Sequence, residues 1–263
     1  MSESEPLVTV EIRDGAAWIT FNQPEAGNPF SLESVAALAD AVGVARRADV
    51  GVVVLGAKGK MFSVGGDLAS FHAAEDPSQH LDDLAESLHR VISELIHIDA
   101  IVVSVVQGAA AGAGVAFAGA ADIVLAAESA RFTMAYTKVG LAPDGGSSLL
   151  TTSIGLHRTL YLALMNPVIS ANEAQAMGLV AEVHPDDELS AAVEKMVRTL
   201  VTGSREALVA AKNVIRCQAV PAPEAALRQE TLAMRRQAGS PDGREGVAAF
   251  LEKRAANFPS SRS

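Results

Sequence analysis

Apolar residues recur along this chain in two rhythms. Val8 to Ile12 alternates moderately, and Ala16 to Phe21 reads as a returning strand after Asp14-Gly15, a dipeptide suited to a hairpin turn. After the turn-rich stretch Asn22 to Pro29, Ser31 predicts the N-cap of a helix reaching about Ala48, with Val35, Leu38, Val42 and Ala45 on one face. Val50 to Leu55 and Ile101 to Val106 are apolar runs of strand length. Between them, Leu81, Leu84, Leu88, Val91, Ile92 and Leu95 form a helical stripe. Phe71 to Gln79, rich in polar and small residues, predicts a lid or loop.

Beyond residue 120 the rhythms shorten. Asp122 to Ala126 and Phe132 to Met134 predict strands, and Gly145 to Ile154 and Leu156 to Met165 predict helices. Ser170-Ala-Asn-Glu173 is a capping box for a short helix closed by Gly178, and Leu179 to Val183 follows as a strand. From Asp187 onward only helices are predicted, at about 187–200, 204–218, 222–238 and 242–256. Strands alternating with crossover helices indicate an α/β body with a helical tail, the boundary falling near 185–205.

Composition narrows the classes. A net charge of −10 over 263 residues offers no basic field for nucleic acid. Cys217 is the only cysteine, which excludes an intrachain disulfide and a cysteine metal site and fits a reducing cytoplasm. The first fifteen residues lack the basic-then-apolar order of a secretory signal. Ile101 to Ala127 has the length of a membrane span, but Asp122 would be costly in lipid. A core strand followed by a buried Ala/Gly-rich helix is the better reading, without membrane insertion.

Two glycine corners carry the chemistry. Gly108-Ala-Ala-Ala-Gly-Ala-Gly114 ends one strand and opens a helix, and Ser63-Val-Gly-Gly66 also follows a strand. Side by side, such corners would aim two backbone N–H groups at one oxygen and stabilise an enolate or tetrahedral oxyanion. Two tight turns chosen for packing are the alternative. Neither corner matches a dinucleotide or P-loop fingerprint.

The chain resembles the crotonase, or enoyl-CoA hydratase/isomerase, superfamily along nearly its whole length. The marks are Phe21-Asn-Gln-Pro-Glu-Ala-Gly-Asn28, Phe62-Ser-Val-Gly-Gly-Asp-Leu68 and Val106-Gln-Gly-Ala-Ala-Ala-Gly-Ala-Gly114. They continue in Ala121-Asp-Ile123, Val139-Gly-Leu-Ala-Pro-Asp144, Ala174-Gln-Ala-Met-Gly-Leu-Val180 and Ala249-Phe-Leu-Glu-Lys-Arg254. The resemblance implies a spiral of ββα units over 1–195 holding an acyl-CoA site. A helical region over 196–263 would serve assembly into a trimer or dimer of trimers and cover that site. It implies an acyl-CoA thioester as substrate, polarised by the N–H groups of Gly66 and Ala113. Coenzyme A, arriving as part of the substrate rather than as a tightly bound cofactor, would contact Ala26, Val64, Gly66, Asp67, Leu68 and Ala113. No metal is implied.

The family's hydratases carry two glutamates, and the matching positions here are Ala116 and Tyr136. Alanine moves no proton, and a phenol is a poor base near neutrality. Asp144 stands where double-bond isomerases of the family, including the phenylacetate-degradation group, carry an acid, and where a halide-displacing member carries its nucleophile. Read from its neighbours alone, Asp144 is a helix cap for a segment beginning near Gly145. Combined with the resemblance, it becomes the base of an isomerase acting on a 3-enoyl-CoA or related thioester. A hydratase with a non-standard acid/base set and a non-catalytic acyl-CoA-binding protein are the alternatives. His80, His89 and His97 are expected at the surface or a helix edge, without metal spacing. With no histidine recognisable beside Asp144 and no tryptophan after Trp18, halide displacement loses weight.

Overall fold

After an N-terminal hairpin in a large sheet, each of the next three strand pairs of the body sends its first strand to that sheet and its second to a small one. A computed structural model describes residues 5–262; Met1 to Ser4, part of the stretch read for a leader, lie outside the described residues, as does Ser263. The hairpin β1 (Val8–Arg13) and β2 (Ala16–Phe21) forms as expected, with Asp14 and Gly15 both at positive φ. Ser31 caps α1 (Leu32–Arg47) through a reciprocal hydrogen-bond pair with Ser34. Then β3 (Val52–Ala57) enters the large sheet and β4 (Met61–Ser63) the small one, followed by α2 (Leu68–Ala73) and α3 (Pro77–His97). The next unit is β5 (Ile101–Val106), β6 (Ala109–Ala111) and α4 (Ala113–Gly119), and the third opens with β7 (Ile123–Ala127) and β8 (Arg131–Thr133).

The large sheet runs β1-β2-β3-β5-β7-β10 and the small one β4-β6-β8-β9, where β9 is Ile169–Ser170 and β10 is Glu182–His184. The β3-β5-β7 and β4-β6-β8 pairings are parallel, so the units climb in a spiral. This is the crotonase-type arrangement, and it explains Ile101 to Ala127. That apolar run is a strand, a corner, a buried helix and a second strand, and no helix among the described residues is long and apolar enough to cross a membrane.

The remaining helices are α5 (Leu150–Ile154), α6 (Leu156–Met165), α7 (Ala171–Met177), α8 (Leu189–Thr202), α9 (Arg205–Ala219), α10 (Pro223–Ala238) and α11 (Pro241–Leu251). Three expectations need correction. Phe71 to Gln79 is mostly helical: Asp67 caps α2, and Asp76 followed by Pro77 starts α3, leaving only a short break. Leu179 and Val180 are buried but follow the left-handed Gly178 as a connection, so β10 begins later, at Glu182. The last helix stops at Leu251 instead of reaching 256. Position 195 falls inside α8.

One aromatic cluster supports both glycine corners. Phe21 packs edge-on against Phe30, Phe62 and Phe117 at 5.6, 5.9 and 5.6 Å between ring centroids, and Phe30 lies 5.4 Å from Phe117. Phe62 precedes the first corner, Phe117 lies in the helix after the second, and Phe30 bridges to Gly66. Such aromatic contacts add about 0.5–1.5 kcal/mol each beyond area burial, so the base under the corners is rigid.

Candidate active site

The two corners meet. β4 and β6 are paired, and Gly65, at φ +89°, sits so close to the second corner that a Cβ there would lie 2.8 Å from the Ala111 carbonyl and 3.3 Å from the Ala113 nitrogen. Only glycine tolerates both the dihedral and the approach. Gly112, at φ 51° and ψ −125°, turns the chain into α4, leaving Ala113 as its first residue. Around Gly66 the neighbours are committed: Val64 N–H donates to Gly27 O at 2.9 Å, Gly65 N–H to Ser63 Oγ at 3.1 Å, and Asp67 N–H to Phe30 O at 2.9 Å. Among the described residues, the N–H groups of Gly66 and Ala113 have no protein acceptor.

A second structure closes on the same place. A methyl built on Gly145 would lie 2.9 Å from Ala113 Cβ, so the turn carrying Asp144 rests on the second corner. Tyr136 donates its hydroxyl to the Asp144 carbonyl at 2.6 Å, and Ser147 Oγ donates to the same carbonyl at 2.7 Å. Burial, with the charges of Asp144 and Glu230, pushes the Tyr136 phenol well above its ordinary pKa. It is a structural hydroxyl, not a base.

The helix-cap reading of Asp144 does not hold. The turn 147–149 is capped from another element: Glu230 of α10 accepts the Gly146 N–H at 2.8 Å and the Ser148 N–H at 2.6 Å. Asp144 is thereby left buried at 7% exposure with Oδ1 outside good hydrogen-bond geometry. Its nearest charged neighbour is His89, whose Nε2 lies 3.0 Å from that oxygen without the ring N–H aiming at it. Glu230 Oε2 is 3.7 Å from the same nitrogen.

The three buried groups lie close together, and burial and charge shift two of them. For His89, burial alone disfavours the imidazolium, but Asp144, Glu230 and Glu86 more than offset it, and the pKa rises above the ordinary histidine value. Glu230 is raised above the usual carboxylate range by burial and then by the Asp144 charge. One ligand atom from each of His89, Asp144 and Glu230 lies within 4.8 Å of the others, a spacing a divalent ion could bridge. Both Glu230 oxygens already hold backbone N–H groups.

The profile of the family described as Enoyl-CoA hydratase/isomerase matches residues 11–261. The chain belongs to that enzyme family. It is 34% identical to the 1,2-epoxyphenylacetyl-CoA isomerase of Escherichia coli, covering 96% of this chain and 98% of that protein. The trans-2-decenoyl-[acyl-carrier-protein] isomerase of Streptococcus mutans is 32% identical over 95% of this chain and 97% of its own. Among solved structures, an enoyl-CoA hydratase from Mycobacterium avium subsp. paratuberculosis superposes with a TM-score of 0.87 at 34% identity, covering 96% and 98% of the two chains.

Within this family fold, Ala26 lies on the 24–26 turn and is exposed, as is Val64, and the Gly27–Val64 hydrogen bond ties the two segments together. Gly66 and Leu68 continue that edge, half-buried. The Asp67 carboxylate accepts from Ala69 and Ser70 N–H and from Ser70 Oγ, so its side chain is committed to capping α2. Ala116 is buried in α4.

Two residues of this buried cluster were missed by the sequence reading. His89 is 5% exposed rather than at the surface, and it stands beside Asp144, where no histidine was expected. Its signal was available: it lies four residues after Ala85 and three before Ile92, both buried on the same stripe. Glu230 left a similar trace, because Leu227, Glu230, Thr231, Met234 and Ala238 form the buried stripe of α10. A glutamate at a core position needs a partner.

Proposed function

We propose that this protein is an acyl-CoA thioester isomerase that shifts a carbon-carbon double bond, from a 3-enoyl-CoA to a 2-enoyl-CoA or a related pair. Asp144 removes a proton from the activated carbon next to the thioester carbonyl. The N–H groups of Gly66 and Ala113 hold the dienolate oxygen, and the protonated carboxyl returns a proton at the far end of the allyl system. Coenzyme A enters with the substrate along Ala26, Val64, Gly66, Asp67 and Leu68, the last two offering backbone and apolar surface. The observation that supports this reading is the buried Asp144 carboxylate, relieved of capping by Glu230 and carried on a turn that rests against Ala113, with no acid at 116 or 136.

A panel of 3-enoyl-, 2-enoyl- and aryl-CoA thioesters, followed by mass and ultraviolet absorbance, tests it. Unchanged mass with a spectral change, lost in Asp144→Asn, is expected from 3-enoyl substrates. Gain of one water from crotonyl-CoA, abolished by the same substitution, would make the protein a hydratase. Thioester binding without any turnover would make it a binding protein.

His89 beside Asp144 favours a second reading, in which the carboxylate attacks an electron-poor ring carbon and His89 serves as base. Release of halide from an aryl-halide thioester would support it. Self-association into a trimer or dimer of trimers fits the exposed apolar face of α6, where Leu156, Leu160, Leu164 and Met165 are 57, 46, 64 and 66% exposed.

A further inference from the structure

Helix α9 is fastened to the body by charges rather than by apolar packing. Of its fifteen residues Lys212 alone is buried, and three cations spaced along it reach the ends of other elements. Arg205 donates to the Asp49 and Asp99 carbonyls, each at 3.0 Å. Lys212 Nζ donates to the Leu95, Ile98 and Ala100 carbonyls at 3.2, 3.2 and 2.8 Å and lies 3.0 Å from Asp122 Oδ2. Arg216 donates from Nε to Asp122 Oδ1 and from Nη2 to the Ala120 carbonyl, both at 2.7 Å. These ties hold the helix over a cavity of about 440 Å³, walled by Ile96, Ile101, Ile123, Leu149, Leu200 and Leu208. The charges lining it are Asp122, Lys212 and Arg216, which leaves one positive charge in excess. Both Asp122 oxygens are taken, Oδ2 also by the Val102 N–H at 2.8 Å, and Lys212 is surrounded by acceptors. The Nη1 edge of Arg216 has no protein acceptor among the described residues.

We propose that this cavity binds a medium-chain carboxylic acid as its anion, with the chain in the apolar space and the carboxylate on Arg216 Nη1. Concave, mostly apolar space with a few fixed polar groups, set between two packed layers, is the form that small-ligand sites take. One uncompensated positive charge matches one carboxylate. Coenzyme A, with its several phosphate charges, would need more cations than the cavity offers, and a neutral chain would leave the guanidinium edge unanswered. The cavity meets α4 at Gly119, the opposite end of that helix from Ala113 and about 9 Å away along its axis. It is therefore separate from the candidate active site, and binding there is independent of the reaction assigned to Asp144.

Octanoate is the probe, titrated by calorimetry into the full chain and by NMR into the chain carrying 13C-labelled isoleucine methyls. Saturable binding of one octanoate per chain is expected, at least about tenfold tighter than 1-octanol or acetate. The methyl shifts should concentrate at Ile96, Ile101, Ile123 and Ile215, which line the cavity. Arg216→Gln should weaken octanoate by about tenfold or more and leave octanol unchanged. Because that substitution also frees Asp122, a second variant blocks the space without touching the charges. Ala219→Phe, at an exposed position on the cavity rim, should abolish binding without lowering Tm. No saturable binding, equal affinities for octanoate and octanol, or full octanoate binding in Ala219→Phe would each overturn the proposal. Methyl shifts at Ile215 that grow with protein concentration in the absence of octanoate would give the face to a second copy of this chain and overturn it as well.

Discussion

The candidate site has a backbone half and a side-chain half, and they are built differently. The backbone half consists of two corners whose strands, β4 and β6, are neighbours in successive repeats, so one local pattern used twice assembles it. The side-chain half draws His89 from α3, Asp144 from an irregular turn and Glu230 from α10, elements joined only by tertiary packing. The first half offers fixed donors whose positions were settled at folding. The second offers groups whose charges depend on one another. Carbonyl polarisation should therefore survive changes that destroy proton transfer.

The largest effect expected is on the side-chain half. Asp144→Asn keeps the shape but removes the base, and turnover should drop by about a hundred- to ten-thousandfold while thioester affinity changes little. Steady-state kinetics with a separate binding titration checks both parts. Gly65→Ala attacks the backbone half instead. It forces a side chain into a positive-φ site against the Ala111 carbonyl, which should cost about 1–3 kcal/mol of stability and, by displacing the corner, up to about a hundredfold in turnover. Denaturant unfolding and activity on one preparation separate the two losses.

Glu230→Gln probes how the halves are joined. Its amide can accept from only one of the Gly146 and Ser148 N–H groups, loosening the turn beneath Asp144. A roughly tenfold fall in kcat with little change in KM is expected, with about 1–3 kcal/mol lost in stability. An unchanged kcat would show that the turn holds itself.

The smallest effect is the pH dependence of stability. The folded-state pKa of His89 lies above its ordinary 6.5, so its contribution is complete below that pH and is lost as pH rises through the raised value. Glu230, raised above 4.5, has the same sign in a window beginning lower. The Tm difference between wild type and His89→Asn should shrink as pH climbs from about 6 to 9. A difference that grows over that range would contradict the charge assignment.

Legibility followed the same division. The repeated strands, the N-cap at Ser31, the capping box at Ser170 and both glycine corners lay in short stretches, and their periods and turn residues expressed the geometry directly. The cluster was only half visible. Asp144 stood out through its motif, but its neighbours suggested a cap, because nothing local reveals that Glu230 takes the N–H groups of that turn. His89 looked like a helix-edge residue because an apolar stripe is judged by its leucines. A polar residue on that stripe becomes informative only once α10 is known to pack there.

The separation of the two halves can be measured in one spectrum. A thioester labelled with 13C at its carbonyl, bound to wild type and to Asp144→Asn, reports polarisation through its stretching frequency. A downshift from the free thioester in both proteins, with turnover lost only in the variant, is the predicted result. A carbonyl at its free frequency in the wild type would contradict the paired N–H groups of Gly66 and Ala113 as its polarising site.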